Sequence, residues 1–160
     1  MSTAPYFNLV SEVLPVQRRD FYVLTPAQLN PNNANPLIDG EWLELDTTEY
    51  KVKRGTGEAA VPSWPLFAEK GRYDTQSIGK VPLLFLGGFE AETKVANLSG
   101  MAPGNALVVQ DVTISSLTRR GLAKLGAGAG EHMIFGFVTR VFTDRVRFWY
   151  PGTPSFKTVA

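Results

Sequence analysis

The sequence contains no cysteine and a single histidine, His132. The absence of cysteine excludes disulfide bonds, thiolate metal sites and a cysteine nucleophile. One histidine also excludes a two-histidine metal site within one chain. Because His132 precedes the apolar run Met133-Ile-Phe-Gly-Phe-Val and no Gly-x-Ser-x-Gly elbow occurs, we interpret it as a structural residue. We therefore expect no enzyme activity, no metal and no cofactor.

Neither sign of charge is in clear excess, with 16 Lys and Arg against 15 Asp and Glu. A surplus of basic residues is what drives binding to nucleic acid and to anionic membranes. No apolar stretch is long enough to span a bilayer, and the N-terminus lacks a basic region followed by a long apolar core. We expect a soluble cytosolic chain that binds no membrane, with nucleic acid disfavoured as a partner.

Residues 1–36 contain five prolines and five asparagines, so long helices are disfavoured there. The same segment is too apolar to remain in solvent, because it carries aromatic residues such as Tyr6, Phe7, Phe21 and Tyr22. We predict an extended N-terminal arm over 1–36 and a β-rich domain over 37–160. Two alternatives stay open: the arm lies on its own domain, or it packs on a neighbouring subunit.

From residue 37 onward, short β-prone runs alternate with turn residues, which is typical of a sandwich or a small barrel. The last hairpin is the clearest, because Val146, Phe148 and Tyr150 alternate with Arg145, Arg147 and Trp149. One segment, 114–125, has a weak helical pattern that Thr, Ser and Gly oppose. The predicted strands are 41–45, 50–54, 63–69, 81–87, 89–96, 106–110, 121–125, 132–142 and 145–150.

A loose internal repeat relates two parts of the domain. The run Gly40-Glu-Trp-Leu-Glu-Leu aligns with Gly104-Asn-Ala-Leu-Val-Val, each a turn glycine followed by a short strand. A hairpin partner, a loop and a core strand follow in both places. The predicted fold is therefore mainly β, a small β-sandwich or barrel built from two loosely similar strand modules.

A glycine-rich loop and a cluster of acidic residues each have both a catalytic and a structural interpretation. The loop Gly126-Ala-Gly-Ala-Gly130 is followed by a strand and lacks a Gly-Lys-Ser/Thr ending, so we interpret it as a flexible connection, not a phosphate cradle. Carboxylates are clustered near the start of the domain without a calcium-loop pattern, so we expect solvated acids. These acids are Asp39, Glu41, Glu44, Asp46 and Glu49.

Basic and aromatic residues lie side by side along the last hairpin. Such interleaving is used by single-strand nucleic-acid platforms, where bases stack on rings. Arginine and aromatic residues are also enriched at protein interfaces. Because the net charge is only +1, we favour a docking surface made by Arg145, Arg147 and Trp149.

The second half resembles the small capsid decoration, or cement, proteins of tailed bacteriophages. The resemblance rests on a glycine-led strand, Pro103-Gly-Asn-Ala-Leu-Val-Val, and a second strand, Gly121-Leu-Ala-Lys-Leu. A Gly-rich loop ending at Glu131 then leads to the strand Ile134-Phe-Gly-Phe-Val and a closing strand. The pattern covers roughly residues 37–150, and this chain is longer than the smallest members of the family.

The resemblance implies a structural virion protein that is made in the host cytoplasm, lies on the capsid surface and bridges capsomers. Its partners would be the major capsid protein and further copies of itself, as a trimer or another homo-oligomer. A phage tail-tube or head-tail connector subunit is the alternative, followed by a single-stranded nucleic-acid-binding β-barrel and by an enzyme with an active site shared between chains. The predicted partner-binding residues are Tyr6, Phe7, Arg18, Arg19, Phe21, Tyr22, Arg145, Arg147 and Trp149.

Overall fold

The structure, a computed structural model, describes residues 6–12, 17–47, 51–55, 63–65 and 79–160. This part of the chain is mainly β, as predicted, and contains no helix with the length and apolarity needed to cross a membrane. Besides a 3-10 turn at Pro26–Leu29, the strands are β1 (Phe7–Glu12), β2 (Gln17–Val23), β3 (Trp42–Leu45), β4 (Lys51–Lys53), β5 (Ser63–Pro65), β6 (Lys80–Leu86), β7 (Phe89–Thr93), β8 (Ala96–Asn97), β9 (Ala106–Ile114), β10 (Leu117–Lys124), β11 (Gly130–Ile134), β12 (Gly136–Val141), β13 (Val146–Tyr150) and β14 (Ser155–Val159).

The strands form two large sheets and one small one. The seven-stranded sheet has the order β1-β7-β13-β12-β9-β10-β8, and the five-stranded sheet has the order β5-β3-β4-β2-β6. Neighbouring strands are antiparallel except for β10 beside β8 and β2 beside β4. The two-stranded sheet pairs β11 with β14. This arrangement fits the sandwich alternative of the prediction.

The main core lies between the two large sheets. Trp42 of β3 is 1% exposed, and its ring centroid lies 5.4 Å from that of Phe135 and 5.9 Å from that of Tyr150. Leu84 of β6 joins the same cluster of buried side chains. Burying large apolar side chains of this kind stabilises a fold by about 1.5–3 kcal/mol each, so this cluster holds the sheets together.

A second core covers the other face of the five-stranded sheet. Leu29 and Leu37, from the irregular segment between β2 and β3, pack there with Phe21, Leu43 and Val52. The alternation of strand residues explains the division, because neighbouring side chains such as Trp42 and Leu43 point to opposite faces. Both faces of this sheet are thus used for packing.

The N-terminal segment supplies one strand to each large sheet. β1 pairs with β7, with Phe7 opposite Thr93, and β2 lies between β4 and β6. Phe7 and Phe21 are 1% and 3% exposed. Of the segment predicted as an arm, residues 7–12 and 17–23 therefore pair within the chain's own sheets, as in the first of the two alternatives for the arm.

The helix considered for residues 114–125 is wrong, because this stretch is a β-hairpin. β9 and β10 pair from Ile114 opposite Leu117 to Leu107 opposite Lys124. Ser115 and Ser116 form the two-residue turn with φ angles of 52° and 65°. Turns with two left-handed residues match the twist of the flanking strands, although serine is a less common choice than Asn-Gly.

The two glycines that open the proposed strand modules adopt the same backbone conformation. Gly40 precedes β3 with φ of 87°, and Gly104 precedes β9 with φ of 85°. Glycine tolerates this left-handed region, whereas other residues are strained there. The modules belong to different sheets, since β3 lies in the five-stranded sheet and β9 in the seven-stranded one.

Candidate interaction surface

The alternation predicted for the last hairpin is confirmed. Along β13, Val146, Phe148 and Tyr150 are buried, whereas Arg147 is partly exposed and Trp149 is 38% exposed on the opposite face. We call that face the outer face of the seven-stranded sheet. The backbone N–H of Phe142 donates to the carbonyl of Arg145 at 2.9 Å, which closes the turn to β12.

The neighbouring strand adds a second aromatic ring to the outer face. Phe137 of β12 lies directly opposite Trp149, and their ring centroids are 6.3 Å apart with an interplanar angle of 32°. Gly136 permits the close approach of the strands, because a Cβ there would lie 2.5 Å from the carbonyl oxygen of Trp149. A larger residue at 136 would push the two strands apart.

A third ring on this face is surrounded by cations. The ring centroid of Phe142 lies 4.7 Å from the guanidinium carbon of Arg140, 4.3 Å from that of Arg145 and 5.7 Å from that of Arg147. Guanidinium groups within about 6 Å of a ring are attracted by its negative face. We define the aromatic–arginine patch as Phe137, Arg140, Phe142, Arg145, Arg147 and Trp149.

One carboxylate fixes two of the arginines. Glu92 of β7 accepts from Arg145 Nε at 2.9 Å and from Arg147 Nη2 at 2.6 Å. Partial burial raises the pKa of Glu92, but hydrogen bonds from Arg147 and Arg145 outweigh it and hold the pKa below its ordinary value. The ionised glutamate therefore orients both guanidinium groups on the sheet.

A chain of ion pairs connects the patch to the start of β1. Asp144 accepts from Arg145 Nη1 at 2.9 Å and lies 3.1 Å from Lys94 Nζ, and a hydrogen bond from Lys94 lowers the pKa of its carboxyl. The backbone N–H of Lys94 donates to the carbonyl of Tyr6 at 2.8 Å. This hydrogen bond places Tyr6, a predicted partner-binding residue that is 39% exposed, at the same end of the sheet as Arg145.

The other predicted arm residues lie elsewhere. Phe7 packs edge-on against Phe89, with ring centroids 6.4 Å apart, and Phe21 belongs to the second core. Tyr22 is 50% exposed on the five-stranded sheet, where the Lys80 ammonium lies 4.5 Å from its ring centroid. Arg18 and Arg19 lie in β2, and their side chains fall outside the described residues.

Sequence reasoning missed four contributors to the surface, namely Glu92, Phe137, Arg140 and Phe142. Arg140 and Phe142 lie on the predicted hairpin, so the alternation of that segment could have indicated them. Phe137 and Glu92 reach the surface through pairing of β12 and β7 with β13, with Glu92 opposite Arg147. Such cross-strand partners are set by sheet order, which the local sequence pattern does not contain.

The expectation of solvated acids is wrong for Glu41, which is fully buried. Its carboxylate accepts from Arg54 Nε at 2.8 Å, from Arg119 Nη1 at 3.2 Å and from the backbone N–H of Ile38 at 2.8 Å. Arg119 and Arg54 also donate to the carbonyl of Pro36. Because Arg119 belongs to β10 and Arg54 follows β4, this cluster connects the two large sheets.

Other acids of that group are less enclosed. Glu44 and Asp39 are half-buried, and Glu49 lies outside the described residues. The Asp46 side chain is 8% exposed and lies 2.9 Å from Lys53 Nζ, so the expectation of a solvated acid is wrong there as well. In the described part of the chain, no group of three or more His, Cys, Asp or Glu residues could hold a metal ion. His132 Nε2 lies 2.8 Å from the carbonyl oxygen of Gly128, so it connects the Gly-rich loop to β11.

The comparisons with known proteins add no relative to this description. No protein-family model, no curated protein and no solved structure matches the chain.

Proposed function

We propose that this chain is a structural virion protein that binds the outer surface of an assembled phage capsid and stabilises it by bridging capsomers. The observation that carries the proposal is the aromatic–arginine patch. Trp149 is 38% exposed on the outer face of the seven-stranded sheet, beside Phe137, and the same face carries Phe142 with three guanidinium groups around its ring. The resemblance to capsid decoration proteins supplies the identity of the partner.

The residue types of the patch support binding to protein. Tryptophan and arginine are the side chains that most often dominate the binding energy of protein interfaces. The patch is also held rigid before binding, because Glu92 orients Arg145 and Arg147, and Gly136 lets Phe137 approach Trp149. Preorganised side chains lose less conformational entropy on association, so more of the contact energy appears as affinity.

Acidic residues within the same face favour a protein partner over single-stranded nucleic acid. Glu90 accepts from Thr139 at 2.8 Å and lies opposite Trp149. Glu92 pairs with Arg145 and Arg147, and Asp144 pairs with Arg145, so two carboxylates offset the charge of these two arginines. A phosphate backbone would meet these carboxylates at close range, and a nucleic-acid groove depends on uncompensated positive charge. A partner surface carrying both signs of charge is the better complement.

Capsid stabilisation then follows from mass action. A subunit that binds only the assembled shell lowers the free energy of the shell relative to its dissociated parts. A specific contact of this kind typically buries about 1,600 Å² in total, which requires more surface than the patch alone. Tyr6, Tyr22 and further copies of this chain are the proposed additional contributors.

Co-sedimentation of the purified protein with preassembled capsid shells tests the proposal. Deleting residues 1–24 is unsuitable, because it removes β1, β2 and the buried Phe7 and Phe21. The comparison is instead wild type against Trp149→Ala, with Trp149→Phe as the conservative control. We expect saturable binding that Trp149→Ala weakens and Trp149→Phe largely retains.

The alternatives give different results in the same preparation. Absence of binding to shells, together with rings or tubes formed by the protein alone, would support a tail-tube or connector subunit. Binding to single-stranded nucleic acid with a steep salt dependence would support the nucleic-acid alternative. Analytical ultracentrifugation without shells gives the number of copies that associate.

A further inference from the structure

A groove of about 440 Å³ opens on the outer face beside the patch. It lies between the seven-stranded sheet and the two-stranded sheet of β11 and β14. Its lining includes polar residues such as Asn105 and Ser155 and an apolar part, which we call its floor, formed by Ala106, Leu125, Ile134 and Phe137. These residues belong to a small cluster of apolar side chains separate from both main cores.

The rim of the groove carries two lysines, Lys124 of β10 and Lys157 of β14. Lys124 Nζ donates to the carbonyl of Gly100 at 3.3 Å. Among the described residues, neither lysine has a carboxylate partner, whereas Lys53 and Lys94 each pair with an aspartate. The groove therefore combines an apolar floor with positive charge that the described part of the chain does not neutralise.

Phe156 of β14 forms part of the wall and is 64% exposed, the highest value among the large apolar side chains of the described residues. Four of the five residues of β14 are exposed, and its strand partner is β11 in a two-stranded sheet. Two-stranded sheets are marginally stable alone and gain from further packing. An occupant of the groove would cover Phe156 and support this sheet.

The groove is continuous with the aromatic–arginine patch. Phe137 lines the groove and also contacts the ring of Trp149. A partner that covers Trp149 therefore reaches the mouth of the groove without crossing another element. This continuity, together with the unpaired lysines, favours an occupant that presents an apolar group next to a negative charge.

We propose that the groove binds an extended segment of the capsid subunit that carries a carboxylate next to an apolar side chain. The apolar side chain lies on the floor against Leu125 and Phe137, under Phe156, and the carboxylate accepts from Lys124 and Lys157. The inference rests on the proposed function, because it assigns the occupant to the capsid protein. To the proposed function it adds the site that binds the capsid segment and the chemical character of that segment.

The test compares shell binding by Lys124→Gln/Lys157→Gln, by Lys124→Arg/Lys157→Arg and by Lys51→Gln/Lys53→Gln. The third variant removes the same number of charges from β4 of the five-stranded sheet and also breaks the ion pair between Lys53 and Asp46, so it is the more demanding control. We expect Lys124→Gln/Lys157→Gln, the groove variant, to bind shells about tenfold more weakly than wild type. The affinities of the arginine variant and of the control should stay within about twofold of the wild-type affinity. Thermal melts establish that all variants are folded.

A photo-crosslinking experiment identifies the occupant directly. Benzoylphenylalanine in place of Phe156 should crosslink to a capsid-protein peptide that contains Asp or Glu beside an apolar residue. The same group at Thr118, an exposed position about 20 Å along β10 from Lys124, is the control and should not give this adduct.

The outcomes separate the two proposals. If wild type does not bind shells, the proposed function is overturned and this inference with it. If wild type binds shells and the groove variant has the same affinity as the β4 control, the proposed role of the groove is overturned while the proposed function stands. Crosslinks only to a second copy of this chain, with self-association lost in the groove variant, would assign the groove to contacts between copies of this chain. That result would overturn the proposal that a capsid-protein segment occupies the groove.

Discussion

Two glutamates in this protein are each held by two arginines, in very different surroundings. Glu41 is fully buried, and the side chains of its partners Arg54 and Arg119 are 12% and 5% exposed. The Glu92 side chain is 12% exposed, and its partners Arg145 and Arg147 are 36% and 31% exposed. The chemical groups are the same, so the difference in burial decides what each cluster does.

The buried cluster connects the sheets and leaves its arginines inaccessible to a partner. Removing one member of a buried ion-pair cluster leaves an uncompensated charge away from water, which is strongly destabilising. The surface cluster contributes little to stability, because solvent and salt screen exposed pairs. Its arginines remain able to contact another molecule. The same pairing of one glutamate with two arginines therefore stabilises the fold where it is buried and is available for binding where it is exposed.

The largest expected effect is on stability at the buried cluster. Glu41→Gln removes the negative charge between Arg54 and Arg119 and should lower the free energy of unfolding by about 3–5 kcal/mol. Urea denaturation followed by tryptophan fluorescence measures this loss. Glu92→Gln is the matched control and should stay near wild type; equal losses in the two variants would contradict the assignment of distinct roles.

The second effect is on binding at the exposed cluster. Trp149→Ala should weaken binding to capsid shells by about 2 kcal/mol, or roughly thirtyfold, as expected for a central tryptophan at an interface. Its unfolding free energy should change little, since Trp149 is partly exposed. Titration of shells with labelled protein gives the affinity. Unchanged affinity in a folded variant would exclude Trp149 from the interface.

A smaller effect is expected on stability at the exposed cluster. Glu92→Gln should lower the free energy of unfolding by about 1 kcal/mol or less at low salt. The loss should shrink further in 0.5 M NaCl, where the Debye length falls to about 4 Å. Urea denaturation at two salt concentrations measures the difference. A loss that salt leaves unchanged would indicate that Glu92 is more enclosed than its exposure implies.

The smallest effect concerns pH. The pKa of Glu92 is below its ordinary value of 4.5 in the folded protein, so the folded state binds its proton less readily than the unfolded state. Its contribution to stability is therefore present above about pH 4.5 and is lost as pH falls through the lowered pKa. Denaturation of wild type and Glu92→Gln from pH 7 to pH 3 should show the two converging at low pH. A difference that grows on acidification would contradict the ion pair.

Most of the fold could be predicted from local patterns. The predicted runs overlap β3 to β7, β9, β10 and β13, and the faces of β13 followed from the alternation of Val146, Phe148 and Tyr150. The run predicted as one strand over 132–142 is two strands in different sheets, β11 and β12, and the two-residue β8 was not predicted separately. β9 and β10 form a hairpin that the sequence did not reveal, because Ser115-Ser116 lacks the usual Asn-Gly signal. β14 was missed because its side chains are mostly exposed and carry little hydrophobic pattern.

The site was predictable only as far as its own hairpin extends. Arg145, Arg147 and Trp149 were found from alternation along one strand. The partner Glu92 is 53 and 55 residues away from these arginines, and Arg119 is 78 residues from Glu41. Long-range pairing of this kind is set by sheet order. The burial of Phe7, likewise, depends on pairing of β1 with the distant β7.

Electron cryo-microscopy of capsid shells incubated with the protein tests the central claim most directly. The account predicts added density on the outer surface of the shell, bridging capsomers, with the face that carries Trp149 and Arg147 against the capsid protein. Shells without added density, or with that face turned to solvent and another surface in contact, would contradict it.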